Sequence, residues 1–197
     1  RLVAAGQTTI KAVFAGDDAY EPGEASYLLV VKEKEVAGTD KFELVTDASK
    51  LANGDVIILA YVNEEGDAWA MSTTQNANNR AANPVEIEED GTIIPGSTIQ
   101  QITVEEEYYF NVGDGYLYAA GTTGNWLRTE AEPDDNALAD ITIDENGDAT
   151  IVFQGANTRN HMRFNTNNGN PMFSCYADNS SVKTLPRIYR KITGDTP

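Results

Sequence analysis

Cysteine and histidine are nearly absent from this sequence, with one residue of each type, Cys175 and His161. A single cysteine cannot close an intramolecular disulfide, and a single histidine leaves no Cys/His cluster for zinc. We therefore expect no bound metal and no cofactor. Long apolar runs are also lacking, because no stretch reaches the roughly 18 residues of a membrane-spanning helix. No membrane insertion is expected.

Basic residues are scarce: 14 lysines and arginines are set against 31 acidic residues, and the formal net charge is -17 at pH 7. This charge argues against nucleic acid or an anionic membrane as a partner of the whole chain, and it favours solubility outside the cell. The distribution is uneven. No lysine or arginine lies between Arg80 and Arg128, whereas residues 155–192 hold six basic residues and one acid, Asp178.

Motifs that carry catalysis are missing as well. The sequence has no nucleophile elbow, no phosphate-binding glycine loop and no metalloprotease helix. Carboxylates are abundant, but a glycosidase requires two of them at a set distance across a cleft, which abundance does not predict. Glu105–Glu107 is expected to be a solvated loop. We therefore expect a protein that is not an enzyme and has no catalytic residues.

Short apolar runs separated by turn residues dominate what is present. Gly, Asn, Thr and Asp recur about every 8 to 12 residues, which is the spacing of strands joined by turns. No helical periodicity longer than one turn occurs in residues 42–192. The sequence therefore predicts an all-β protein, and its 41% hydrophobic content is sufficient for a core.

The first 34 residues predict two strands, Thr9–Phe14 and Ala25–Val31, around a Gly/Asp/Pro turn. The segment A-A-G-Q-T-T-I-K-A-V-F-A-G-D-D-A-Y, followed by A-S-Y-L-L-V-V, resembles the last strands of a bacterial immunoglobulin-like (Big-type) repeat. A complete module has about 100 residues and seven strands, so the resemblance implies partial immunoglobulin-like β-sandwich strands. Two strands alone are marginal in water. They are expected to pack on the next domain, pair with another chain, or reflect a truncation.

The predicted organisation has four parts. Residues 1–35 are the C-terminal strands of the immunoglobulin-like domain, and residues 36–41, charged and then small and polar, form a linker. Residues 42–192 form the main all-β module, and residues 193–197 lead to a following segment. Because the chain opens at Arg1 without a signal peptide, we expect it to be a piece of a longer secreted protein.

Three similar strand-turn-strand segments suggest an internal repeat in the main module. They comprise residues 56–71, 108–119 and 149–164, and the asparagines that follow them, Asn79, Asn125 and Asn170, are 46 and 45 residues apart. Three such units are what a β-trefoil requires, so a trefoil-like β-barrel with three internal repeats is predicted. Another closed barrel or a sandwich stays open as the alternative.

Strand alternation predicts the same core for each of these topologies. The side chains expected to point inward are Ile58, Trp69, Met71, Phe110, Leu117, Ile141, Ile151, Phe153, Met162, Phe164, Phe173 and Ile188.

Several segments of residues 42–192 carry a second resemblance. They are G-Y-L-Y-A-A from Gly115, R-N-H-M-R-F-N from Arg159, F-S-C-Y from Phe173 and R-I-Y-R-K from Arg187. Together they resemble an uncharacterised module of surface proteins from gut-dwelling Gram-negative anaerobes. The resemblance implies an exported accessory role and brings no catalytic or binding residues.

Two groups of residues are candidates for ligand binding. With Met162 and Phe164 inward, alternation places His161 and Arg163 outward, near Arg159 and Asn160. Planar guanidinium and amide groups suit sugar hydroxyls, carboxylates or phosphates, although Arg159 and Asn160 could instead bond the backbone of a long hairpin turn. The second group is Trp126 with Arg128, because an exposed indole could stack on a sugar face.

The function predicted from the sequence is a non-catalytic extracellular binding or adhesion module of a multi-domain cell-surface protein. Its partner is a glycan or a surface protein, besides neighbouring domains of the same chain. Two alternatives remain: a spacer in a surface stalk, and an accessory domain of a secreted hydrolase whose basic C-terminal segment grips an anionic polymer.

Overall fold

The structure is a computed structural model that describes residues 6–31, 40–166 and 169–192. These residues form an all-β protein without an α-helix, which confirms the predicted fold class at that level. The chain clusters into two compact units, Arg1–Val36 and Ala37–Pro197. The predicted tail 193–197 and all but the last two residues of the predicted linker 36–41 lie outside the described residues.

The first unit is an antiparallel hairpin of β1 (Gly6–Phe14) and β2 (Gly23–Val31). Its turn is held by Asp17, whose carboxylate accepts hydrogen bonds from the backbone N–H groups of Ala19 and Tyr20, both at 2.9 Å. Ile10 pairs with Tyr27, and these apolar side chains are 39% and 59% exposed. The described hairpin therefore carries apolar side chains that no second sheet covers.

The second unit contains strands β3 to β15 and two short 3-10 helices in its described part. The strands are β3 Lys41–Leu44, β4 Val56–Val62, β5 Ala68–Gln75, β6 Arg80–Val85, β7 Ile102–Glu105, β8 Tyr109–Asn111, β9 Tyr116–Ala119, β10 Leu127–Glu130, β11 Ala139–Ile143, β12 Ala149–Phe153, β13 His161–Asn165, β14 Met172–Tyr176 and β15 Arg187–Ile192. The 3-10 helices are Ala48–Lys50 and Glu106–Tyr108.

One antiparallel sheet runs through this unit and curls into a half-barrel. Its strand order is β10-β9-β8-β7-β4-β5-β6-β14-β13-β12-β11, and β15 pairs with both β3 and β4. The three hairpins predicted from the repeat are present as the pairs β4–β5, β8–β9 and β12–β13.

Strand β4 separates two hydrophobic clusters. Ile57 and Leu59 face the large cluster inside the curl, whereas Ile58 and Ala60 face a smaller cluster that contains Phe42. Successive side chains of a strand point to opposite faces, so an uninterrupted apolar run such as V-I-I-L-A is buried on both sides.

The predicted core is largely confirmed. Eleven of the twelve side chains are buried, and Trp69 is half-buried with its ring against the large cluster. The placement of Ile58 in one common core was wrong, because Ile58 belongs to the smaller cluster on the opposite face of β4.

Candidate functional site

Trp126 lies at the end of the loop between β9 and β10. Its neighbour Leu127 is fully buried and Trp126 is half-buried, so the two alternate as the sequence predicts. A Cβ atom on Gly121 would lie 2.4 Å from Cε3 of the indole, and one on Gly124 would lie 2.3 Å from its Nε1. The ring therefore packs directly on the backbone of its own loop at two positions that lack side chains.

A methyl group at Gly124 tests this packing. We expect Gly124→Ala to displace the indole, to change its near-ultraviolet circular dichroism and to lower the free energy of unfolding by about 1–3 kcal/mol, as overpacking does. Gly96→Ala is the matched control, since a Cβ there meets nothing within 4 Å. Equal urea midpoints and equal spectra for the two variants would contradict the described loop.

Arg128 covers the indole. Its guanidinium carbon lies 4.8 Å from the centroid of the Trp126 ring, which is a cation-π contact. Residues i and i+2 of an extended segment share a side, and this brings the two side chains together. Trp126 is half-buried and its ring already contacts Arg128, and stacking of a sugar on the indole stays a prediction.

The Arg128 guanidinium is also held by hydrogen bonds to the loop between β5 and β6. Nε and Nη2 donate to Oδ1 of Asn78 at 3.2 and 2.5 Å, and Nε also donates to the carbonyl of Ala77 at 3.1 Å. Nη1 has no hydrogen-bond partner within the described part of the chain. One edge of the guanidinium is thus fixed and the other is left for a further acceptor.

Asn125 joins Arg159 and Ser174 to this loop. Its Oδ1 accepts a hydrogen bond from Nη1 of Arg159 at 2.7 Å, and its carbonyl accepts one from the Ser174 hydroxyl at 2.6 Å. Nε of Arg159 is buried and has no hydrogen-bond partner among the residues that the structure describes. We call the group formed by Asn78, Asn125, Trp126, Arg128, Arg159 and Ser174 the loop cluster.

Asn160 does not belong to this cluster. Its Nδ2 donates to the carbonyl of Phe153 at 2.6 Å, while its own carbonyl accepts from the backbone N–H of Phe153 at 3.0 Å. Both bonds close the turn between β12 and β13. These bonds agree with the alternative, in which the Asn160 amide satisfies the backbone of a long hairpin turn. A binding role for Asn160 stays a prediction.

The outward, solvent-facing position predicted for Arg163 was wrong, because Arg163 is only 6% exposed. It pairs across the sheet with Ser174, which is itself buried under the carbonyl of Asn125. The Arg163 Nη1 donates to the carbonyl of Met162 at 2.9 Å, and Nη2 lies 3.3 Å from Nδ1 of His161. The β9–β10 loop thus contacts the residue that pairs with Arg163 on the neighbouring strand.

His161 is mostly buried, with 17% of its side chain exposed. Burial, and then the charge of Arg163, lower the pKa of His161 from its ordinary 6.5; Lys183 adds to the lowering and Asp178 opposes it. The folded protein therefore favours the neutral imidazole.

The lowered pKa of His161 predicts that the folded protein loses stability as the pH falls. Because the unfolded chain takes up the proton at a higher pH than the folded one, the contribution of His161 to stability is complete above pH 6.5 and is lost as the pH falls. The only histidine signal in a proton NMR titration should give a pKa below 6.5, and Asp178→Asn should lower it further. A pKa above 6.5 would overturn this account of the site.

Three of the six basic residues of the C-terminal segment are held in ion pairs. Arg187 forms an ion pair with Asp148 at 2.7 Å, Lys191 with Asp40 at 2.6 Å, and Arg190 with Glu43 at 3.0 Å. Arg128, Arg159 and Arg163 form no such pair with a carboxylate in the described ranges. Arg128 and Arg159 of the loop cluster are therefore among the cations that no described carboxylate pairs with; Lys183, which donates to the carbonyl of Asp178 at 2.5 Å, is another.

A separate shallow cleft is lined by Asn53, Thr103, Glu105–Glu107, Tyr109 and Pro133. Within it the carboxylate of Glu105 is already used, because it accepts hydrogen bonds from Asn111 and from the hydroxyl of Tyr116, both at 2.8 Å. Residues 6–31, 40–166 and 169–192 contain no group of three or more acidic, cysteine or histidine side chains that could hold a metal ion. The loop cluster is the stronger candidate.

Sequence reasoning found part of this cluster. It singled out Trp126, Arg128 and Arg159, but it missed Asn78 and Ser174. The Asn-rich segment N-A-N-N directly before Arg80 is the one signal that could have indicated Asn78. Ser174, in the middle of a strand, has no such signal.

The fold and this cluster define the chain as an all-β protein built on a curled antiparallel sheet, with a polar, arginine-containing loop cluster. No protein-family model matches the chain, and searches of curated proteins and of solved structures return no match. None of the described helices is long and apolar enough to span a membrane.

Proposed function

We propose that residues 42–192 form a non-catalytic, extracellular binding or adhesion module of a multi-domain cell-surface protein, and that the module binds carbohydrate through the loop cluster. The observation that supports this most is that planar donor groups of two segments are joined. Arg159 of the β12–β13 turn bonds Asn125, and Arg128 packs on the ring of Trp126, the residue after Asn125.

The chemistry of these groups fits a sugar. Guanidinium and amide groups present paired donors in fixed geometry, which matches the spacing of sugar hydroxyl and acidic groups. Their partners already fix them, since Arg128 is held by Asn78 and the indole, and Arg159 is held by Asn125. A site fixed in this way loses little side-chain entropy when a ligand binds.

Two finer assignments of fold belong to the same proposal. The β1–β2 hairpin is the end of an immunoglobulin-like sandwich, which is supported by its uncovered apolar side chains. The second unit is a trefoil-like three-repeat domain, supported by the pairs β4–β5, β8–β9 and β12–β13. A crystal structure in which a three-fold rotation fails to superpose these hairpins would contradict the trefoil assignment.

A glycan array on the purified chain tests the function. We expect the wild-type chain to bind and the double variant Arg128→Gln/Arg159→Gln to lose this binding. The control variant Lys41→Gln/Lys50→Gln removes the same number of positive charges outside the loop cluster and should still bind. Circular dichroism establishes that both variants are folded. Binding that survives in the first variant would place the site elsewhere, and no binding by the wild-type chain would favour the stalk-spacer alternative.

A further inference from the structure

Many of the cations outside the loop cluster are matched with carboxylates. Five of the nine described lysines and arginines there form ion pairs: Lys11 with Glu24 and Lys41 with Asp90, both at 2.6 Å, and the three basic residues of β15 with the partners given above. At the cluster, Arg128 and Arg159 have only amide, carbonyl and aromatic partners among the described residues.

This separation is notable in a chain with 31 acidic and 14 basic residues. With that excess of carboxylates, a surface arginine without an acidic neighbour is the less expected arrangement. Two such arginines, joined through the β9–β10 loop, form a local positive region on an acidic protein.

A third arginine adds to the positive region from behind. Arg80 is 2% exposed, and its Nη groups donate to Oε1 of Gln100 at 3.0 Å and to the hydroxyl of Thr129 at 2.8 Å. Thr129 follows Arg128 on β10 and faces the opposite side of the strand. Arg80 forms no ion pair in the described ranges, although the charge of Asp114 acts on it from a longer distance. Because Arg80 is buried, solvent screens its charge less than that of an exposed arginine.

The guanidinium of Arg128 keeps a donor for a ligand, because its Nη1 has no partner in the described part of the protein. Nε of Arg159 also lacks a partner among the described residues, but it is buried. Asn78 Oδ1 already accepts two bonds from Arg128, and Asn125 Oδ1 accepts one from Arg159. Charged donors of this kind bind carboxylates and sulfates more strongly than neutral hydroxyls.

From these observations we propose that the loop cluster binds the acidic group of an anionic glycan, a uronic acid carboxylate or a sulfate ester, with Arg128 and Arg159 as the contacting residues. This inference rests on the proposed function, because it specifies which class of carbohydrate the same site takes. The proposed ligand is therefore negatively charged, although the protein as a whole carries a net negative charge.

The test uses sugars matched in everything except the charge. Isothermal titration of the full chain compares a galacturonic acid oligosaccharide with its carboxyl-reduced counterpart, and a sulfated galactan oligosaccharide with its desulfated counterpart. We expect at least one acidic member to bind about 10-fold or more tightly than its neutral partner, the range of a hydrogen bond to a charged group. Which pair shows the preference distinguishes carboxylate from sulfate.

Salt and the matched variants complete the test. The affinity for the acidic sugar should fall when the ionic strength rises from about 0.01 M to about 0.15 M, because the screening length shortens from about 30 Å to about 8 Å. Arg128→Gln/Arg159→Gln should remove the preference, and Lys41→Gln/Lys50→Gln should retain it.

The outcomes separate this inference from the proposed function. If acidic and neutral sugars bind equally well and the arginine variant binds neither, the inference of an anionic ligand is wrong. The loop cluster would then still be a carbohydrate site. A preference that both variants retain would overturn the assignment to these arginines. No binding of any of the four sugars would overturn the inference, and the array then decides the proposed function independently.

Discussion

Replacing Phe164 with alanine is expected to lower the free energy of unfolding of the second unit by about 3–5 kcal/mol. Phe164 is 1% exposed, and its ring centroid lies 4.3 Å from that of Tyr61, 5.9 Å from that of Trp69 and 5.4 Å from that of Phe173. The substitution leaves a cavity in the large cluster and removes three aromatic contacts, each of which contributes beyond its buried area.

Urea unfolding followed by tryptophan fluorescence measures this loss, because Trp69 and Trp126 both belong to the second unit. Phe14→Ala is the control, since Phe14 is 47% exposed on the hairpin, and it should change the same transition by less than about 0.5 kcal/mol. A loss of under about 1 kcal/mol for Phe164→Ala would show that the described packing is wrong.

Gly115→Ala is expected to lower the free energy of unfolding by about 2–5 kcal/mol. Gly115 has a φ of +148°, and a Cβ there would lie 2.4 Å from the carbonyl oxygen of Glu130 on β10. The cost combines backbone strain with a steric overlap that only movement of β10 can relieve. Because Arg128 lies on β10, this variant also disturbs the loop cluster.

Gly113→Ala, in the same turn, separates the two causes. Gly113 has a φ of +95°, but the space around its Cβ position is open. Because only backbone strain acts there, Gly113→Ala should lower the free energy of unfolding by about 1–2 kcal/mol. Thermal and urea unfolding of the two variants should therefore differ clearly. Equal losses would mean that β10 does not approach Gly115 as described.

Much of the fold follows from local patterns. Alternation in β12, β13 and β14 identified Ile151, Phe153, Met162, Phe164 and Phe173 as core side chains, because the side chains on one face of a strand repeat every two residues. The pattern fails where both faces are covered and both are apolar. In β4 nothing in V-I-I-L-A distinguishes the two faces, so Ile58 and Leu59 could not be assigned to different clusters from the sequence.

The candidate site depends more on long-range contacts. Trp126 and Arg128 are close in sequence, and their pairing was predictable. The burial of Arg163 was not, because nothing in the local sequence indicates that Asn125, 49 residues before Ser174, contacts the strand paired with β13. For the same reason Asn78 was missed: its carboxamide acquires a role only when β10 lies beside the β5–β6 loop.

NMR chemical-shift mapping with the best-binding sugar of the array is the most direct test of the central claim, which is carbohydrate binding at the loop cluster. The account predicts that the largest changes occur at the Trp126 indole N–H, the side-chain amides of Asn78 and Asn125, and the guanidinium signals of Arg128 and Arg159. Changes confined to the cleft around Glu105–Glu107, or to the β1–β2 hairpin, would contradict it.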